Sequence, residues 1–199
     1  MGHHDRAKQI VTVALELAER EGIPGVTTAR LARRMKFTEA ALYRYFSGKA
    51  GILAAGLDQL IKHLYSTMTL ELLQSGVARR EGPEVILERH AKRFTARNGL
   101  LLVLLVHAAE TQDLLLRKVS TEFVDTYLGH LETFFTELLE GIDTPVQPGT
   151  LAQLWLCQLL GGFLRSRLAE SPWDPVEHPG FRIFLDQLNA IVSAATQAD

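Results

Sequence analysis

An all-α fold follows from three features of this 199-residue chain. Apolar residues recur at three- and four-residue spacing along most of its length. Glycine and proline cluster at the seams between those stretches, and no run alternates with the period of a strand. Neither a repeat nor a low-complexity tract interrupts the pattern. With 47% hydrophobic residues the chain can bury the core of one large domain, or of a small domain joined to a medium one. The single cysteine, Cys157, allows no intramolecular disulfide, and its leucine-rich surroundings read as those of a small buried apolar residue.

The first expected helix spans Asp5 to Glu21, where Ile10, Val13, Ala14, Leu17 and Ala18 form one stripe. Gly22 ends it, since glycine takes the left-handed position past a helix, and Pro24 with Gly25 makes the turn. A short helix then starts at Thr27 or Thr28, either of which can cap its free N–H groups, with Leu31 and Ala32 facing inward. Beyond Met35, Lys36 and Phe37 comes another capping residue, Thr38, and Glu39 falls in the first turn, where the helix dipole favours negative charge. The second helix of this pair therefore begins near Glu39, with Leu42, Tyr43 and Phe46 on its apolar side. It leaves Glu39, Ala40, Ala41, Arg44 and Tyr45 on faces the core does not need, and such a small, unobstructed front can lie in a major groove.

Ser47 and Gly48 open a long helix from Lys49 to about Leu73, with Ile52, Leu53, Leu57, Leu60, Ile61, Leu64, Tyr65 and Met68 as its apolar contacts. Gly76 to Gly82 reads as a polar connection, and Pro83 suits the first turn of a helix running to about Arg97, which Asn98 and Gly99 stop. Leu100 to Val106 is apolar on all sides and so is expected to be buried. A further long helix over Asp113 to Gly141 carries Phe123, Tyr127, Leu131, Phe134, Phe135 and Leu138. The loop 141–149 leads to a helix over Thr150 to Glu170, whose Gly161 and Gly162 make sense if another helix approaches closely. A Pro-rich loop over 171–180 precedes the last helix, Phe181 to Ala195.

Charge divides along the chain. Residues 1–50 hold nine Lys or Arg against five Asp or Glu, a net of +4, and the other 149 hold twelve against eighteen, a net of −6. A basic head on an acidic body turns the head toward a phosphate backbone and keeps the body off it. No apolar run is long enough to cross a membrane and Met1–Ile10 is unlike a signal peptide, so no membrane partner is expected and the expected compartment is the cytoplasm, in association with the nucleoid.

The order T-T-x-x-L-A (Thr27 to Ala32), nine residues, then L-Y-x-x-F-x-x-K (Leu42 to Lys49) resembles the amino-terminal DNA-binding domain of the TetR family of bacterial transcriptional regulators. The resemblance implies a three-helix head over residues 1–48 and a helical effector-binding and dimerisation domain over 49–199. Its partners would be a double-stranded, palindromic DNA operator, a second copy docked through the last two helices, and a small apolar or amphipathic effector whose binding releases a repressor. The DNA-binding set is Thr27, Thr28, Thr38, Glu39, Ala40, Ala41, Tyr43, Arg44, Tyr45 and Lys49. Within it Thr28, Thr38, Tyr43, Tyr45 and Lys49 are expected mainly on phosphates, and Glu39, Ala40, Ala41 and Arg44 at or beside base edges. Tyr43 alternatively serves the core. Family members usually carry Gly where this chain has Lys36, so Lys36 is either left-handed or part of a reshaped turn.

His90, Phe94, His107, Glu110, Tyr127, Trp155 and Gln158 are the residues that would line or border a cavity in the body, or else form polar groups satisfied in an ordinary helical core. They lack metal-ligand spacing, and no catalytic elbow, phosphate loop or dinucleotide fingerprint is present, so neither enzymatic activity, metal nor cofactor is expected. The apolar run Leu151 to Leu164 needs more cover than one small domain supplies, unless it is simply the central helix of the body. Some likeness to the nucleoid-occlusion branch of the same family, in which a DNA-bound dimer meets a cell-division polymer, gives a second functional expectation.

Overall fold

A computed structural model describes residues 3–72, 75–169, 174 and 178–196. Among them ten helices follow one another: α1 (His3–Gly25), α2 (Thr28–Met35), α3 (Glu39–Tyr43), α4 (Lys49–Leu72), α5 (Ser75–Glu81), α6 (Pro83–Phe94), α7 (Ala96–Glu110), α8 (Leu114–Leu139), α9 (Pro148–Leu168) and α10 (Pro179–Thr196). No strand occurs among the described residues, and the all-α expectation holds. None of these helices is long and apolar enough to cross a membrane. Most of the expected loop over 171–180 lies outside the described residues, as does the side chain of Met68.

The helices fall into two compact units. One is drawn from Met1–His63 and Arg97–Phe123, the other from Leu64–Ala96 and Val124–Asp199. In the first, the stripe of α1 is buried at Ile10, Ala14, Leu17 and Ala18. Gly56 of α4 brings that helix hard against α1, since a Cβ there would come within 2.8 Å of Leu15 Cδ2, and packing at interior density leaves no room for it. α1 kinks at Gly22 (φ 73°), where its end was expected, and the expected turn at Pro24 and Gly25 is instead a short helical segment, Ile23–Gly25, beyond the kink. Within α7, Leu100, Leu102 and Leu104 are buried, but Val106 is 40% exposed.

Three other expectations need correction. The 76–82 connection is helical, as α5, because its Ala78, Arg79, Arg80 and Glu81 are good helix formers and Ala78 is fully buried. α6 stops at Phe94 rather than Arg97, and the joint to α7 has left-handed backbone at Arg97 (φ 55°) and Gly99 (φ 67°). Cys157 is exposed, because it shares an outward side of α9 with Leu154 and Leu164, which are 47% and 55% exposed.

The turn at Lys36 is the left-handed one. Lys36 caps α2 at φ 56°, ψ 41°, its N–H directed to the carbonyls of Ala32 and Arg33. A side chain in that region costs about 1–2 kcal/mol, which glycine avoids at an entropic cost of about 0.5–1 kcal/mol. Lys36→Gly should therefore raise stability by about 0.5–1 kcal/mol, and Lys36→Val should lower it. The shift of the urea midpoint reads both.

Candidate nucleic-acid interface and aromatic cluster

α2 and α3 are set by their caps. Thr27 is the cap of α2, its Oγ1 accepting from the Arg30 N–H at 3.2 Å, and Thr38 caps α3 by accepting from the Ala41 N–H at 3.1 Å. Thr28, which caps nothing, donates its hydroxyl to Glu39 Oε2 at 2.7 Å and ties the first turn of α2 to that of α3. Arg30 braces α2 against the preceding turn, donating to the Gly25 carbonyl at 3.1 Å and pairing with Glu21. Arg6 of α1 lies over the ring of Phe37, in the turn between α2 and α3, at 5.5 Å.

Only Leu42 of α3 is buried. Thr38, Glu39, Ala40, Tyr43 and Arg44 are exposed, and Ala41, Tyr45 and Phe46 are half-buried. The alternative core role of Tyr43 is corrected by its 54% exposure: helical spacing puts it one position from Leu42, about 100° round the helix and off the buried side. Thr27, Thr38, Glu39, Ala40, Tyr43 and Arg44 thus share one short, open segment, flanked by half-buried Thr28, Ala41 and Tyr45.

Lys49, at the start of α4, is half-buried and donates to the Ile23 carbonyl at 2.7 Å. Burial lowers its pKa from 10.5. One of its three N–H donors thereby anchors α4 to the end of α1. Arg97, at the α6–α7 joint, donates through Nε and Nη2 to Glu19 Oε2 of α1 at 3.1 and 2.9 Å. The sequence offered no sign of that pair, because 78 residues separate its members.

In the second unit, four of the seven residues expected at a cavity come together. His90 Nε2 lies 2.8 Å from the Tyr127 hydroxyl, and the Trp155 indole N–H donates to the same oxygen at 2.7 Å. The His90 and Tyr127 rings stack with centroids 5.6 Å apart, and Phe94 lies 4.9 Å from Tyr127. All four side chains are completely buried. Burial first, and the charge of Arg93 second, push the His90 pKa down to about 3, while burial holds the Tyr127 hydroxyl well above 10. Gln158 is half-buried on α9 near Gly180. His107 and Glu110 belong to the other unit, half-buried and exposed respectively. Phe181, 5.0 Å from Trp155, joins the aromatic cluster and was not anticipated there. Among the described residues no group of three or more His, Cys, Asp or Glu is placed to hold a metal ion.

Residues 10–56 match the sequence profile of the bacterial regulatory proteins of the tetR family. The nucleoid occlusion factor SlmA of Mannheimia succiniciproducens is 28% identical over 169 residues, 81% of this chain and 76% of that protein. Its namesake in Haemophilus influenzae strain PittGG is 32% identical over 138 residues, 68% of this chain and 61% of its own length. Among solved structures, the transcriptional regulator FadR from Bacillus subtilis, in complex with stearoyl-CoA, has the same fold with a TM-score of 0.68 at 17% identity, over 94% of this chain and 97% of that one. With two capped helices joined by a left-handed turn inside the matched segment, the chain belongs to the TetR family of bacterial regulatory proteins and is a DNA-binding regulator of transcription.

Proposed function

We propose that this regulator is a homodimeric repressor that holds a palindromic operator with two α3 helices and lets go when a small molecule enters the body. The observation that carries the reading is the open front of α3, where Glu39, Ala40, Tyr43 and Arg44 are exposed and Leu42 alone is spent on the core. Glu39, Ala40, Ala41 and Arg44 face or flank base edges. Thr27, Thr28, Thr38, Tyr43, Tyr45 and Lys49 hold the backbone on either side, Thr28 by passing its hydroxyl from Glu39 to a phosphate. DNA reading belongs to residues 1–48, effector binding and dimerisation to 49–199. Selecting duplexes from a random pool and measuring their affinity against salt tests this. Recovery of a palindrome with half-sites about one helical turn apart supports it, and recovery of unrelated sequences counts against it.

The dimer rests on α9 and α10. Leu154, Cys157, Gly161, Leu164 and Leu168 recur at intervals of three and four, all exposed, and Ile183 of α10 is 58% exposed. Apart from its own stretch of helix backbone, no atom of the described residues lies within 4 Å of where a Gly161 Cβ would stand, so the backbone there is open to a close partner. A second copy of this chain covers that stripe. Sedimentation at micromolar concentration should find a dimer for the native chain and a folded monomer for Leu164→Glu, and a native monomer would remove the proposal.

An effector acts by favouring one head separation over another, which is differential affinity between two states. The FadR structure holding stearoyl-CoA supports a body able to accept such a molecule. Arg97 of α7 grips Glu19 of α1, giving a movement of α7 a handle on that helix. A second reading, a nucleoid-occlusion role, is favoured by the names of the two relatives. Mapping of bound sites across a genome separates the two, since a regulator occupies one or a few promoters and a nucleoid-occlusion protein many scattered sites.

A further inference from the structure

Of the residues in the first turn of α3, Glu39, Ala40, Ala41 and Leu42, only the first carries a hydrogen-bonding side chain. Leu42 is buried, and the two alanines offer a groove nothing but methyl groups, which can touch a thymine methyl and read no donor or acceptor. Reading by hydrogen bonds at the leading end of the helix therefore falls on a carboxylate. In the free protein Glu39 is exposed, its Oε2 accepts the Thr28 hydroxyl at 2.7 Å, and its Oε1 accepts from no group among the described residues. Bracing α2 against α3 uses one oxygen and leaves the other uncommitted.

Insertion into a groove makes this the demanding group of the contact. Stripped of water and set near phosphates, the carboxylate needs a donor in place of the one it loses when Thr28 turns to the DNA backbone. A carboxylate offers acceptors alone. Guanine shows N7 and O6 to the major groove and thymine shows O4, so both oppose it, whereas adenine and cytosine each show an amino group. Adenine's amino group lies beside the N7 acceptor, an arrangement that suits the paired donor and acceptor of Asn or Gln. Cytosine's N4 lies beside a C–H, which opposes neither carboxylate oxygen. The match is consequently with cytosine.

We infer that Glu39 fixes a cytosine in each half of the operator, its carboxylate accepting from the N4 amino group at the base pair that the first turn of α3 meets. The inference rests on the DNA reading proposed above and adds the base, and the atom on it, that one residue selects.

The test takes the full-length native chain, Glu39→Gln and Glu39→Ala, and selects duplexes from a random pool with each. The position is exposed, and glutamine keeps an oxygen for Thr28. The native chain should select a palindrome with a C·G pair at one symmetric pair of positions, where Glu39→Gln selects A·T, adenine standing in place of cytosine, and Glu39→Ala selects no base. N4-methylcytosine supplies the atomic test, because it still pairs with guanine and turns its methyl group into the major groove in place of the amino hydrogen. At those positions it should weaken the native chain about tenfold for each half-site, the cost of an ordinary mismatch, and leave Glu39→Ala unaffected. Scanned through every cytosine of the operator on the native chain, it needs no substitution and stands even if a variant fails to fold. A palindrome on which Glu39→Ala keeps every base preference of the native chain would overturn the inference. So would an A·T pair in the native operator where the substitutions act, no cytosine sensitive to N4-methylation, or equal weakening of the native chain and Glu39→Ala by it. Each of these leaves operator reading by α3 in place. Recovery of unrelated sequences by the native chain would sink that reading, and the inference with it.

Discussion

Ala40→Asp should lower operator affinity at least about 100-fold while leaving the fold unchanged. The magnitude follows from the geometry of a groove contact made twice. A lost base-edge interaction is worth about 1–3 kcal/mol, two heads carry the change, and distant sites add. The new carboxylate also stands among phosphates. Stability should move by no more than about 0.5 kcal/mol, because Ala40 is exposed and an acid in the first turn of a helix suits its dipole. Lys49→Met is the contrasting substitution. It should weaken binding to cognate and random DNA alike and flatten the salt slope by about one unit for each head. It should also cost about 1 kcal/mol of stability, since the ammonium's bond to the Ile23 carbonyl is lost. Fluorescence anisotropy on both duplexes across a salt series distinguishes the two. If Ala40→Asp weakened random DNA as much as the operator, or Lys49→Met left the salt slope unchanged, the assignment of roles would be wrong.

Tyr127→Phe should be the most damaging small change in the second unit, at about 2–4 kcal/mol by urea unfolding. The lost oxygen is the shared partner of His90 Nε2 and the Trp155 N–H, so one deletion leaves two buried groups unmatched where solvent does not reach. A value below about 1 kcal/mol, the ordinary net worth of one hydrogen bond, would mean that the cluster is held by ring packing alone.

The same cluster has a pH signature. His90 has a folded pKa of about 3 against its ordinary 6.5, so between those values the unfolded chain binds a proton that the native chain refuses. Its contribution is whole above about pH 6.5 and drains as the pH falls from there toward 3, by up to about 1.4 kcal/mol per unit. His90→Phe should flatten the stability profile over that window relative to the native chain. Equal slopes for the two proteins would show that His90 takes up its proton without unfolding.

Much of the head was legible because local signals agree there. The stripe of α1, the left-handed kink at Gly22, the caps before α2 and α3 and the buried Leu42 are each decided within a few residues of chain, where capping and helical periodicity operate. The body was legible in its helices and less so in its exposures. Leu154, Cys157 and Leu164 have the composition of a core and an outward position, because hydropathy records what a residue prefers and not whether this chain has a neighbour to offer it. His90, Phe94, Tyr127 and Trp155 were candidates by residue type, and so were His107 and Glu110, which the fold assigns elsewhere.

By itself the sequence determined that the chain is helical, where the two short capped helices of its motif begin, and which family it resembles, since caps, periods and a short motif are properties of contiguous residues. The tertiary structure alone decided that Thr27 caps while Thr28 holds Glu39, that Arg97 grips Glu19, and that one tyrosine oxygen serves both a histidine and a tryptophan. Those outcomes turn on distances of about 3 Å between groups up to 78 residues apart, and spacing along a chain carries no record of them.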